Sequence, residues 1–190
     1  MTLPPLSPPR DYKEQSCSAI PWHTTFIGQP MQHNYWMYAI VDRIMREVPI
    51  SAVIELGTGA GALSSVFGMW GAVKSIPITT VDNVMRHNPR ILQKLGVDYR
   101  QQDIFSPEVR SLIEGQSGPI WLFCDGGCKR KELAEYAPLL KPGSIVSAHD
   151  LGVEFLHAHA EPLCEAGIIE PFHPEWWMEA NVQLALYRRL

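Results

Sequence analysis

The sequence predicts an α/β fold: a Rossmann-like, doubly wound sheet of about seven strands, mostly parallel with an antiparallel last strand. Three observations predict it. Short β-branched or continuously apolar runs recur at residues 51–56, 77–82, 97–102, 119–124 and 144–148, with helix-compatible stretches between most of them. The first run closes on Glu55-Leu56-Gly57-Thr58-Gly59-Ala60-Gly61, so the chain reads strand, glycine turn and then helix from Ala62. Near the C-terminus a short run at 167–170 is followed by a longer one at 181–188, in which Val182, Leu184 and Leu186 alternate.

The remaining elements follow in order. Residues 1–10 hold four prolines and little that could pack, and residues 1–20 read as an extended or disordered arm. Residues 22–32 read as a loop punctuated by Gly28 and Pro30. From residue 34 a helix leads into the first strand, its apolar face carried by Tyr38, Val41, Ile44 and Met45 and its end set by Pro49. Residues 90–95 form a helix closed by Gly96, residues 132–140 another, and residues 155–166 a third.

A chain of 190 residues fits one domain spanning 1–190, with enough length to bury a core. A net charge of −4 supplies no basic field, which counts against nucleic acid as a partner. Cys17, Cys124, Cys128 and Cys164 show neither a C-x-x-C pair nor zinc spacing, as expected of reduced thiols in a cytoplasmic protein. No apolar run approaches the ~20 residues of a membrane span, so a soluble protein is expected.

The glycine turn suggests a nucleotide-type site, because glycine lets a ligand approach main-chain N–H groups with no Cβ in the way. A dinucleotide fingerprint needs G-x-G-x-x-G. Here the spacing is G-x-G-x-G, and Ala62 stands where the third glycine would be. Glu55, two places before Gly57, would repel a diphosphate and suit a cation such as a sulfonium. Asp82 closes the second strand at the rim where an acidic side chain can accept from ribose hydroxyls, with Asn83 beside the adenine. The other reading of Asp82 is a turn or helix N-cap aspartate. The fourth strand ends in Asp125 and the fifth in His149-Asp150, so these should meet at one rim.

Residues 55–61 resemble motif I of the class I S-adenosylmethionine (SAM)-dependent methyltransferases. Over residues 28–150 the layout is similar to the cephalosporin hydroxylase and rhamnosyl O-methyltransferase group and to the catechol type. The similarity rests on Gly28-Gln29-Pro30-Met31-Gln32, residues 53–58, Asp125, and Tyr136-Ala137-Pro138-Leu139-Leu140-Lys141-Pro142-Gly143-Ser144. The resemblance implies SAM as cofactor, with Glu55 at its amino-acid end and Gly57, Thr58, Gly59 and Gly61 as its floor. It places Asp82 on the ribose, and Asp103 near the adenine amino group with Ile104 against the ring. An N-cap role for Asp103 stays open.

In the catechol type a strand-four aspartate and two oxygen-bearing residues after strand five bind magnesium, which implies Asp125, His149 and Asp150 here. These families carry a carboxylate where His149 stands, and one imidazole shifts preference from Mg²⁺ toward Mn²⁺, Fe²⁺ or Zn²⁺. A metal-free alternative makes His149 the general base, and a purely structural His149 is the third. Lys129 falls where the catechol type carries a basic lysine. A solvated helix-start lysine in the Lys129-Arg130-Lys131 run is the other reading.

His23, His33, His157, His159 and His173 are scattered and read as surface or satisfied core histidines. Trp22, Trp36, Trp176 and Trp177 either wall an acceptor pocket or pack the core. Cys124 and Cys128 flank Asp125 without a sign of thiolate activation. The expected activity is SAM-dependent O-methyl transfer to a small hydroxylated molecule (sugar, phenol or related natural product), with metal assistance as an option. The alternatives are a SAM-binding module without transferase activity and an NAD-linked oxidoreductase. The aromatic first helix leaves homo-oligomer formation open.

Overall fold

The computed structural model describes residues 25–33, 35–176 and 182–190. The expected N-terminal arm (1–20), Cys17, Trp22, His23, Trp177 and residue Asn181 lie outside the described residues. The described part opens with a hairpin where a loop was expected: β1 (Thr25–Phe26) pairs antiparallel with β2 (Gln29–Pro30). Ile27 (φ 52°) and Gly28 (φ 75°) are its two turn residues, and both are left-handed. A two-residue turn that matches strand twist requires this of both. Isoleucine is the residue least expected there, which is what hid the hairpin.

Helix α1 (Tyr35–Glu47) follows, and Met37, Ile40, Val41, Ile44 and Met45 on its inner face are fully buried. The sheet comprises β3 (Val53–Leu56), β4 (Ile78–Asp82), β5 (Val97–Gln101), β6 (Trp121–Cys124), β7 (Ile145–Ala148), β8 (Ile169–Pro171) and β9 (Ala185–Arg189). Their order across it is β5-β4-β3-β6-β7-β9-β8. The first five positions are parallel, and β9 runs antiparallel to both of its neighbours. The expected doubly wound sheet is present, with the last strand set inside the edge that β8 forms.

Alternation along the central strands divides the core. Val53, Trp121 and Phe123 face α1 and α2 (Ala62–Lys74), whereas Ile54, Leu56, Leu122 and Cys124 face the opposite cluster. Both faces are apolar, which is why β3 and β6 read as continuous runs.

The helices α3 (Pro89–Lys94) and α5 (Lys129–Tyr136) lie close to their expected places, α5 starting three residues early and ending in a 3₁₀ turn at Ala137–Leu139. Helix α4 (Pro107–Glu114) was overlooked, although its start is written in Ser106-Pro107: the Ser106 hydroxyl accepts from Val109 N, and proline takes the first helical position. The helix expected over 155–166 is reduced to a 3₁₀ turn at His157–His159 and a short α6 (Glu161–Glu165). Pro162 permits a helix to begin there but not to run through, and the Asp150 carbonyl gathers the amides of Val153, Glu154 and Phe155 into a tight turn upstream.

Candidate functional site

Strands β3 and β6 are neighbours although β4 and β5 intervene in the chain, so the loops leaving their carboxyl ends diverge. A cavity of about 460 Å³ opens there. Gly57, Thr58, Gly59, Asp82 and Asn83 line one side and Asp125, Lys129, His149 and Asp150 the other. An adjoining hollow of about 260 Å³ shares Gly57, Asp82 and Asn83 and adds Asp103 and Ile104. Of the residues singled out for a cofactor, only Glu55 and Gly61 are missing from these walls.

Strand parity accounts for Glu55. It shares the face of Val53, which turns it under the glycine turn and against α2. Its carboxyl, 1% exposed, accepts hydrogen bonds from the Ser64 hydroxyl and from Thr80 Oγ1 at 2.6 Å. Thr58 Oγ1 donates to Thr80 in turn, at 2.7 Å. Burial pushes the carboxyl up to about 8, against these hydrogen bonds and with help from the charges of Asp125 and Asp82. Contrary to expectation, Glu55 lines neither hollow, and burial disfavours its carboxylate form.

The turn's own N–H groups are already engaged. Gly59 N donates to Asp82 Oδ2 at 2.9 Å, Ala60 N to Gln32 Oε1 at 2.7 Å, and Gly61 N to the Thr58 carbonyl at 2.9 Å. Gln29 reaches across as well, its Nε2 donating to the Gly61 carbonyl at 3.4 Å and its Oε1 accepting from Asn88 N at 2.9 Å. A Cβ on Gly59 would collide with Gln32 Oε1, and one on Gly61 would come within 2.7 Å of Gln29 Nε2. Two glycines therefore make room for glutamines rather than for a ligand. Neither glutamine is legible as a partner of the turn, because each contact spans about thirty residues.

Asp82 combines its two readings. Oδ1 accepts from Val84 N at 2.9 Å as a turn aspartate does, while the residue still borders the cavity. Asp103 likewise accepts from Phe105 N at 2.9 Å and borders the smaller hollow.

The opposite wall is a charged group built on the ends of β6 and β7. Asp125 continues the β6 ladder, its N donating to Leu56 O at 2.8 Å. Its Oδ2 lies 3.1 Å from His33 Nε2 and its Oδ1 3.2 Å from His149 Nδ1, and the two imidazole centroids are 4.5 Å apart. Asp150 stands beside them, with Oδ1 3.3 Å from His149 Nδ1 and Oδ2 2.7 Å from Lys129 Nζ. His33 is the residue that sequence reasoning passed over. It was set aside as a lone histidine, and only the hairpin carries it to Asp125. The expected trio of Asp125, His149 and Asp150 is adjacent, but the tightest group of metal-capable side chains among the described residues is His33, Asp125 and His149.

Burial alone would raise the Asp125 carboxyl, but hydrogen bonds from His149 and His33 and their charges hold it well below the usual range. Burial and repulsion from His149 push His33 down, whereas Asp125 and Asp150 raise His149 in spite of its burial. Glu132, also buried, accepts from Gly126 N at 3.2 Å and Cys128 N at 2.9 Å and so fixes the loop after Asp125. Its own carboxyl is pushed up by burial to about 7.

Lys129 is not a solvated helix-start lysine. It is 5% exposed, with Nζ 2.7 Å from Asp150, 2.6 Å from Glu154 and 3.5 Å from Asp125. These partners raise it against the effect of burial. Lys129→Met should cost about 2 kcal/mol, below the ~3–5 of a fully buried pair because Glu154 remains half exposed. A urea midpoint unchanged from the parent would show the ammonium to be dispensable.

Among the described residues, Trp36 and Trp176 do not wall this cavity. Trp176, 3% exposed, stacks on His173 at 4.0 Å with Arg43 over its ring, and Trp36 packs against the same core. His157 hydrogen-bonds Tyr187 OH thirty residues on, and His159 Nδ1 accepts from Leu156 N. Cys124 is buried and its thiol pushed up, as expected of an inactive cysteine. No helix among the described residues is long and apolar enough to cross a membrane.

No protein-family model matches the chain, and no curated protein matches it in sequence. Solved structures match it in fold. Ligand-free CmcI is 15% identical, with 100% of this chain and 88% of that one covered at a TM-score of 0.71. A Mg-SAM form of CmcI is 15% identical over the same shares, with a TM-score of 0.67. A SAM-dependent O-methyltransferase from Thermotoga maritima is 11% identical, with 81% of this chain and 64% of that one covered at a TM-score of 0.51. Likeness at these identities establishes the fold.

Proposed function

We propose that the protein is a SAM-dependent O-methyltransferase acting on a small hydroxylated molecule, a sugar, a phenol or a related compound, and that a divalent ion assists it. One observation carries this reading: a single cavity runs from the glycine turn and Asp82 to the charged group around Asp125. The Mg-SAM form of a protein with the same fold supports it.

The donor set fits a cation. Asp125, Asp150 and Glu154 face Lys129, leaving an excess of negative charge beside two imidazoles. The same wall suits a sulfonium, so the electrostatic argument first made for Glu55 passes to Asp125 and Asp82. An NAD-linked reading fares worse. A pyrophosphate draws on N–H groups of the glycine turn as well as the helix start, and here Gly59, Ala60 and Gly61 of the turn have spent theirs on Asp82, Gln32 and Thr58.

Bound SAM would supply an electrophilic methyl for in-line displacement, and a divalent ion held at Asp125 and His149 would lower the pKa of an acceptor hydroxyl. The chain's residues do the rest. Asp82 keeps lone pairs free beyond its two amide bonds and takes the ribose hydroxyls. Asn83, Asp103 and Ile104 border the adenine. Without an ion, His149, steered by Asp125, would take the acceptor's proton instead, and Lys129 fixes Asp150 alongside.

Calorimetry with S-adenosylhomocysteine beside NAD tests the cofactor. Micromolar binding of the first and no heat from the second is expected, and silence toward the first at millimolar concentration overturns the reading. Methyl transfer from labelled SAM to a panel of sugars and phenols separates the enzyme from a SAM-binding module.

A further inference from the structure

We propose that His33, Asp125 and His149 form a metal centre of two imidazole nitrogens and one carboxylate, selective for a borderline transition ion of the Zn²⁺, Co²⁺ or Fe²⁺ kind over Mg²⁺. Ligand atoms from the three lie within 4.8 Å of one another. Each imidazole approaches a different oxygen of Asp125, at 3.1 and 3.2 Å. All three side chains are largely buried, His33 and His149 at 8% exposure and Asp125 at 17%, yet all border the cavity.

Hydrogen bonding alone leaves this group poorly matched. His149 Nδ1 faces two carboxylate oxygens, Asp125 Oδ1 at 3.2 Å and Asp150 Oδ1 at 3.3 Å, and one N–H serves only one of them well. A cation at that nitrogen answers both. The neighbouring charges favour one too, since the carboxylates of Asp125, Asp150 and Glu154 share one ammonium, that of Lys129, beside imidazoles that are neutral when they ligate.

The choice of ion follows from donor chemistry. Mg²⁺ demands near-octahedral oxygen ligation, and two of these three donors are imidazoles. Two histidines and a carboxylate suit Fe²⁺, Co²⁺ or Zn²⁺ and leave open positions, which here would face the cavity. Asp150 lies outside the group of three whose ligand atoms come within 4.8 Å of one another, and with Oδ1 3.3 Å from His149 Nδ1 it supports a ligand from there. His149, and a second histidine brought to Asp125 from 92 residues away, make the donor set nitrogen-rich.

The inference deepens the metal part of the proposed function and shares Asp125 and His149 with it, but it does not require methyl transfer. Full-length protein stripped with a chelator is titrated with Co²⁺, Zn²⁺ and Mg²⁺ by calorimetry. One Co²⁺ or Zn²⁺ per chain is expected, bound at least about 100-fold more tightly than Mg²⁺. Pulsed electron paramagnetic resonance of the Cu²⁺-loaded protein should count two imidazoles, and His33→Ala should leave one and weaken Co²⁺ by at least about 10-fold. Equal affinity for Mg²⁺, one imidazole in the unmodified protein, or no ion bound overturns it. The unmodified protein decides the matter even if His33→Ala fails to fold. Homocysteine-cofactor calorimetry on the stripped protein reports separately on the methyl-transfer reading.

Discussion

Gly57→Ala destabilises the protein by about 3 kcal/mol or more, a large share of the stability of a typical domain. Gly57 sits at φ 97°, in the left-handed region, directly after β3. A methyl there would run into the carbonyl of Asp125 and come within 2.9 Å of the Gly126 Cα. Both obstacles are backbone, and that backbone is pinned: Asp125 N donates to Leu56 O at 2.8 Å, and Gly57 N to Val81 O at 2.8 Å. Nothing can swing aside as a long side chain would. Gly152→Ala is the control, since Gly152 has a similar φ of 89° with nothing within 4 Å of the added carbon. It should lose only about 1 kcal/mol, the backbone component alone. Urea unfolding of both variants checks the pair, and equal losses would refute the steric account.

Between pH 4.5 and 8 the parent protein should lose stability as pH rises through Glu55 and Glu132, and Glu55→Gln should remove the larger part of that slope. The carboxyl ionises near 4.5 in the unfolded chain but is pushed up to about 8 in the fold. Below this window both states hold the proton and the group contributes no pH dependence. Inside it the unfolded chain releases a proton that the folded one keeps, so unfolding becomes easier with each unit. By pH 8 the difference is on the order of 3–5 kcal/mol. Glutamine cannot ionise, and its amide oxygen can accept from both Ser64 and Thr80, which meet one oxygen of Glu55. Melts across the window should therefore find the variant equal to the parent in acid and more stable at pH 8. The same slope in both would remove Glu55 as its source.

The sequence disclosed the architecture well because its signals are local. Ile78-Thr79-Thr80-Val81 and Trp121-Leu122-Phe123 can scarcely be anything but buried strands, and Gly57 had to be a glycine for reasons of backbone alone. Position along the rim was equally readable: Asp82, Asp125 and His149 close their strands, and a doubly wound sheet delivers such residues to one edge. Three misreadings have a common origin. Glu55 was judged by type and not by the face its strand parity gives it. Lys129 was judged by its run of charged neighbours and not by the carboxylates that β7 and its loop present. His33 and the two glutamines belong to a hairpin whose turn carries an isoleucine, and without that hairpin no periodicity links residue 33 to residue 125. Side chains that meet across the sheet's edge leave no trace in the spacing of their own segment.

The clasp formed by Gln29 and Gln32 has a consequence for how any ligand arrives. Because the loop after β3 is held by side chains of the same chain, its shape is set before anything binds, and little ordering entropy remains to be lost on association. The same clasp ties recognition to a stretch upstream of the sheet. Cleaving or displacing that stretch would leave a folded sheet whose rim has gone slack.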